Sequence, residues 1–227
     1  MLRIKSPTEM NKSKVNSGAS CTPWAWVRKV REVIVDNGDC KEQSLPAQVL
    51  PWLYISDELS ALDKHKLQSL GITHVLSLNG VTPNQANHIS EKYQVWGLCH
   101  KRISAEDSEQ YDLIGKHWDE CHEFLKSVKQ AEGSKVVVHC VAGINRSGLI
   151  VCAAHLIMEK TPLLEVVKKC IEAKQGPLLW NKSFQEQLCV LAAENDILDD
   201  KPEGFSDEPG DEERAHCTAF QICTTSR

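Results

Sequence analysis

One segment constrains this chain more than any other: residues 136–151 read VVVHCVAGINRSGLIV. The run KVVVH is short and β-branched, which suits a strand buried on both faces in the middle of a sheet. LIVCAAHLIM is apolar nearly all round, which marks a helix enclosed by other elements. Between them stand a cysteine directly after the strand and an arginine six residues later. A loop that leaves a strand and enters a helix gathers backbone N–H groups and the positive end of the helix dipole at one point, which is an anion trap.

The residue types in this loop suit phosphate chemistry. Val141, Ala142, Gly143, Ile144, Asn145 and Arg146 are expected to curl so that their backbone N–H groups cradle a phosphate. Gly143 gives a position free of side-chain hindrance, where close backbone approach or positive φ is needed. Arg146 supplies a planar fork that binds two phosphate oxygens at once. Cys140 is the nucleophile: only the thiolate attacks, and the positive ends collected around it favour that form. Ser147 stands where its hydroxyl can bond the sulfur and ease its departure in a second step. His139 is read as a buried orienter of the loop.

The rest of the chain fits an α/β domain around this centre. Trp26, Val30, Val33 and Ile34 follow helical spacing in a short N-terminal helix. VLPWLYIS reads as a strand, ALDKHKLQSLG as a helix ending at Gly71, and THVLSLNG as a second strand. Pro83 to Tyr93 is a further helix and QVWGLCHKRIS a further strand, while Ile114, Trp118, Cys121, Leu125 and Val128 mark one face of a long helix. Thr161 and Pro162 are expected to cap and open another helix, and Ser183 with Glu186 to form a capping box on the last one. Strands alternating with helices, then helices alone, imply a mainly parallel central sheet flanked by helices.

Residues 1–22 are polar and read as a disordered N-terminal extension, 23–45 as a helix and linker, and 46–198 as the globular domain. Residues 199–227 read as an acidic disordered tail holding eight of the 31 acidic residues and three of the 26 basic ones, which leaves 23 of each elsewhere. A neutral body suggests neither a nucleic-acid stripe nor a polybasic membrane patch. The ten cysteines form no CxxC pair and no Cys/His grouping at metal-ligand spacing, so no metal site is expected. The N-terminus has no apolar signal region and the chain has no long apolar span, which points to a cytoplasmic or nuclear chain with reduced thiols. Cys121, Cys152, Cys170 and Cys189 are expected to be small buried hydrophobes, and Trp52 and Trp180 packing residues instead of ligand platforms. Cys99, read near the end of a strand leading to the acid loop, is a candidate protective disulfide partner of Cys140.

HCxxGxxRS, filled here by His139, Cys140, Gly143, Arg146 and Ser147, resembles the phosphate loop of the protein tyrosine phosphatase superfamily, and specifically of the small dual-specificity phosphatases. The resemblance covers about residues 45–197 and extends to LPWLYISDELSA, GITHVLSLN, AAHLIM and WNKSFQEQL. It implies the cysteine-phosphatase fold, a thiol nucleophile (Cys140), a phosphoryl-binding arginine (Arg146), no metal or organic cofactor, and phosphoprotein substrates, with protein kinases a candidate class of partner. No stretch before residue 45 is long enough for the docking domain of the larger members, so the resemblance is to an atypical, stand-alone one.

The resemblance also implies a general acid on a separate loop about thirty residues before the nucleophile. Glu106, Asp107 and Asp112 are the acids nearby; Asp107 lies 33 positions before Cys140 and is the expected donor, the competing reading being a helix cap. Two alternatives remain. GINRSG also resembles the GxNR loop of RNA 5′-triphosphatases, and a catalytically silent phosphate-binding scaffold has the same fold. The first sits poorly with the neutral body, and the second with the presence of both Cys140 and Arg146.

Overall fold

The described residues, 22–36, 43–80 and 82–210 of the computed structural model, run α1 (Trp24–Asp36), β1 (Ala47–Leu50), β2 (Leu53–Ser56), α2 (Glu58–Ala61), α3 (Lys64–Leu70), β3 (His74–Ser77), α4 (Pro83–Val95), β4 (Cys99–Arg102), α5 (Leu113–Gln130), β5 (Val136–His139), α6 (Arg146–Glu159), α7 (Leu163–Lys174) and α8 (Lys182–Glu194). The strands form one sheet in the order β1-β2-β5-β3-β4. β5 is central, paired in parallel with β2 and β3, and β4 extends the parallel set; only the edge strand β1 is antiparallel.

Both faces of this sheet are covered, which is why KVVVH needs no polar alternation. Val136 and Val138 join a core with α1, α5, α6, α7 and α8, whereas Val137 points to the other face and packs with Tyr54, Leu67, Ile72, Val75 and Tyr93. α6 is buried continuously from Arg146 to Leu156. Each fully buried Leu, Ile or Val contributes roughly 1.5–3 kcal/mol, so Leu149, Ile150, Val151 and Leu156 fix the helix firmly. The Cys140 loop is thereby anchored at both ends by the best-buried elements of the fold.

The structure departs from the sequence reading at several element ends. VLPWLYIS is not one strand but the hairpin β1–β2, with Leu50 paired to Leu53 across Pro51 and Trp52; proline has no N–H to give a ladder. ALDKHKLQSLG breaks into α2 and α3 because Asp63 caps α3 by accepting from the Lys66 N–H, and Gly71 ends α3 in the left-handed region at φ 71°. Pro162 is the cap position of α7 and carries no side-chain bond there. The α7 end is closed from residues 197–199, where the Leu164 N–H donates to Asp199 Oδ2 at 2.7 Å and the Leu163 N–H to the Ile197 carbonyl. α8 is capped by Asn181, not Ser183: Asn181 Oδ1 accepts from the Phe184 N–H.

α1 buries Trp24, Val27, Val30, Val33 and Ile34 and packs on α7 and α8. Residues 199–210, the head of the stretch expected to be a disordered tail, run along α1: the Trp26 indole N–H donates to the Asp199 carbonyl, and Arg28 donates to the Ser206 and Glu208 carbonyls. Residues 1–21 and 211–227, on which the remaining disorder expectations fall, lie outside the described residues.

Candidate active site

In a parallel sheet the carboxyl ends of the strands open onto one edge, where loops converge. His139 ends β5 level with Ser77 of β3, which is level with Arg102 of β4. The loops after β5, β3 and β4 therefore leave the sheet side by side.

The loop after β5 is pressed onto the junction of β2 and α2. Gly143 has φ 68°, and a Cβ there would stand 2.7 Å from the Ser56 carbonyl oxygen and 2.8 Å from the Asp57 nitrogen. Backbone cannot retreat from such a contact, so only glycine fits. The Val141 carbonyl accepts from the Glu58 N–H at 3.2 Å and the Ile144 carbonyl from the Leu179 N–H at 3.0 Å. A carbonyl and the next N–H point opposite ways across a trans peptide, so the N–H groups of Ala142 and Asn145 turn inward. Asn145 places no side-chain cap on α6, leaving that helix's first donors on the same spot.

Cys140 sits beneath this cradle, with 1% of its surface exposed and Sγ 3.3 Å from Ser147 Oγ. Behind it runs a buried chain of hydrogen bonds whose direction is set by its end: His139 Nδ1 lies 3.4 Å from the Cys140 carbonyl, which only accepts, so Nδ1 carries the proton. His139 Nε2 then accepts from Ser77 Oγ at 2.6 Å, Ser77 Oγ accepts from His100 Nε2 at 2.9 Å, and His100 Nδ1 accepts from Ser90 Oγ at 3.0 Å. His139 thus bonds the carbonyl of the loop's first residue from behind, and both rings are neutral near pH 7.

Burial, aided by other nearby positive groups, pushes each ring down to about 4: His100 and Arg146 oppose a charge on His139, against the Cys140 carbonyl and Asp57, and Arg102 opposes one on His100. Between about pH 6.5 and 4 the unfolded chain therefore binds protons that the native state refuses. The stability these rings contribute is complete above pH 6.5 and is lost as pH falls toward 4. The urea midpoint should be flat around pH 7 and decline as pH falls through that window. The decline should be at most roughly 3 kcal/mol for fully buried His139, and the slope shallower in His100→Gln.

Arg146 is 9% exposed and held by Nη1, which donates to the Leu78 carbonyl at 3.0 Å and the Ala105 carbonyl at 3.2 Å. Its Nε is buried without a hydrogen-bond partner. Among the three acids before α5, Asp112 is the helix cap, accepting from the Gly115 N–H at 2.8 Å. Asp107 faces the phosphate loop: its carboxylate accepts from Asn145 Nδ2 at 3.2 and 3.3 Å and from Asn181 Nδ2 at 3.2 Å, and lies 3.8 Å from Arg146 Nε. Glu106 is exposed.

A family model described as the dual specificity phosphatase catalytic domain matches residues 53–194. This chain belongs to the dual specificity phosphatase family. The chain is 35% identical over 157 residues to dual specificity protein phosphatase 4 of Gallus gallus, covering 69% of this chain and 38% of that protein. It is 31% identical over 144 residues to dual specificity protein phosphatase 26 of Mus musculus, covering 63% of this chain and 65% of that protein. The crystal structure of human DUSP28 shares the fold at a TM-score of 0.56 and 16% identity, covering 69% of this chain and 99% of that one. The chain thus spans 38% and 65% of the length of these two curated relatives.

Of the buried-cysteine and tryptophan expectations, only that for Trp180 fails. Trp180 is 54% exposed and Val141 55%, so Trp180 is no packing residue; it sits on the rim, between Leu179 bonded to Ile144 and Asn181 bonded to Asn145. Trp52 is half-buried and donates to Glu159. Cys121, Cys152, Cys170 and Cys189 are buried free thiols, and burial pushes the Cys121 thiol up to about 12.

Cys99 is not a disulfide partner for Cys140. It begins β4 level with Val136, four residues and two strands away, or roughly 16 Å, where a disulfide needs Cα atoms within about 7 Å. Among the described residues no group of three His, Cys, Asp or Glu side chains is placed to hold a metal ion, and no helix is long and apolar enough to cross a membrane. The residues missed from sequence are Ser77, His100 and Asn181, three isolated polar positions that only the fold brings to the loop.

Proposed function

We propose that this chain hydrolyses phosphate monoesters on phosphotyrosine and phosphoserine/threonine proteins through a phosphocysteine on Cys140. The observation that carries the reading is the convergence on one anion cradle of a buried thiol from below and a carboxylate, Asp107, from a separate loop. The Cys140 thiolate attacks phosphorus, the P–O ester bond breaks, and Asp107 gives its proton to the departing serine, threonine or tyrosine oxygen, which leaves poorly as an oxyanion. Water then attacks the phosphocysteine, its proton returns to Asp107, and the sulfur leaves with help from the Ser147 hydroxyl. Arg146 and the loop N–H groups hold the equatorial oxygens in both steps. Such a thiol suits a reducing compartment, cytoplasmic or nuclear, with phosphoproteins, protein kinases among them, as partners.

Asp107→Asn tests the reading. The variant should fold normally, because Asp112 and not Asp107 caps α5. Its kcat/KM should fall by about 100-fold or more on a phosphopeptide, within the usual range for a lost general acid. On an aryl phosphate with a highly activated leaving group the fall should be far smaller. Equal losses on both substrates, or a larger effect from Asp112→Asn, would remove the role from Asp107. Phosphate release by the wild type from triphosphate-ended RNA is expected to stay at background.

A further inference from the structure

The orientation of two asparagine amides around Asp107 is dictated by groups that can only donate. Asn145 Oδ1 accepts from the Asn181 backbone N–H at 3.0 Å, and Asn181 Oδ1 accepts from the Phe184 backbone N–H at 3.2 Å. With both oxygens so committed, both NH₂ groups must face elsewhere, and each faces the Asp107 carboxylate. The three side chains come from the phosphate loop, the start of α8 and the loop after β4, so this contact is what joins the acid loop to the nucleophile loop. The Ala105 carbonyl on Arg146 Nη1 supplies a second tie, two residues earlier in the same loop.

We infer that Asn145 and Asn181 are the positioning residues of Asp107, a pair of amide donors that hold the carboxyl group over the cradle so that its proton lies on the path of the leaving oxygen. This rests on the general-acid reading above. Placement within about 1 Å matters at this level: a small misplacement of a reacting group costs on the order of 100-fold in rate.

Neither change need disturb a helix, although Asn145→Ala also releases the Asn181 backbone N–H, a loss that the melting curves register. Asn145 makes no side-chain cap on α6, so Asn145→Ala removes its donor at no cost to that helix. Asn181→Ser keeps an oxygen able to cap α8 while deleting the donor, and so separates capping from positioning. The experiment is a double-mutant cycle on the full chain, reading kcat and KM separately on a phosphopeptide and on an activated aryl phosphate, in wild-type and Asp107→Asn backgrounds. Melting curves of each variant accompany it.

Each single variant is expected to lower kcat/KM on the phosphopeptide by about 10-fold, mainly through kcat. On the activated ester the loss should be less than about 3-fold, and in the Asp107→Asn background either change should add less than about 2-fold. A loss that is equal on both esters, that persists without the Asp107 carboxyl, or that lies mainly in KM would show that the asparagines shape the phosphate loop itself and would overturn the inference, as would no loss in either variant. If Asp107→Asn alone shows no dependence on the leaving group, it is the general-acid reading that fails, a result visible before any asparagine is changed.

Discussion

Cys140→Ser is expected to abolish turnover, by roughly 10⁴-fold or more, while leaving the affinity for a phosphopeptide within a few-fold of wild type. The hydroxyl is smaller than the thiol and enters a site 1% exposed, where Ser147 Oγ, 3.3 Å from the sulfur, remains as a hydrogen-bond partner, so the fold has no reason to suffer. The cradle is also untouched: the carbonyls of Val141 and Ile144 stay tied to Glu58 and Leu179, the N–H groups stay turned inward, and Arg146 keeps its two carbonyl anchors. What is lost is an ionisable nucleophile, since a serine hydroxyl with no adjacent base does not form the anion that a thiol forms. His139 cannot serve as that base. Its Nε2 already accepts from Ser77 and its Nδ1 donates to the Cys140 carbonyl. Calorimetric titration with a phosphopeptide and phosphate release from the same preparation give the two readouts. Turnover within about 100-fold of wild type in the presence of a chelator would refute the phosphocysteine mechanism.

The same loop shows why the centre of this protein is legible in its sequence and its surroundings are not. Strand, cysteine, glycine, arginine and helix are contiguous, so the geometry of the cradle is local and its residue types are forced. Gly143 is expected from sequence to allow a close approach, and that approach is to backbone atoms of Ser56 and Asp57. KVVVH and LIVCAAHLIM are apolar on all sides because both are enclosed on all sides. Element ends are a different matter, because they depend on which of several polar groups reaches a free N–H. Asp199 closes the end of α7 from 35 residues away, and no local pattern announces that. Asp107 is expected near the loop by resemblance alone, and its competing reading as a cap gives way to Asp112, which takes that position. The donors that hold it, 38 and 74 positions distant, share no spacing that a sequence displays. His100 and Ser77 likewise meet His139 only through the register of β3 with β4 and β5.

Arg146→Lys is expected to lower kcat by about 10³-fold or more on any phosphate ester, activated or not, and so to differ in kind from a change at Asp107. The guanidinium has more than one task. Nη1 is spent on the Leu78 and Ala105 carbonyls, which tie the loops after β3 and β4 to the phosphate loop, while the buried Nε, with no hydrogen-bond partner and 3.8 Å from Asp107 Oδ2, is free to bond a phosphate oxygen in the proposed mechanism. A planar fork can do both because its N–H groups point in fixed, divergent directions. An ammonium at the end of a flexible chain is a single point: drawn to the two carbonyls it leaves the phosphate, and drawn to the phosphate it leaves two buried carbonyls unsatisfied, each costing about 1–3 kcal/mol. Paired contacts to the equatorial oxygens are lost either way, and those contacts strengthen as charge spreads over the oxygens in the transition state, where an arginine is worth 10³–10⁵ in rate in other phosphoryl-transfer enzymes. The loss should therefore appear in kcat on phosphopeptide and aryl phosphate alike, with a lower melting temperature from the untied loops. Near-normal kcat in Arg146→Lys would show that positive charge alone suffices, and that the two carbonyl anchors have no part in aiming it.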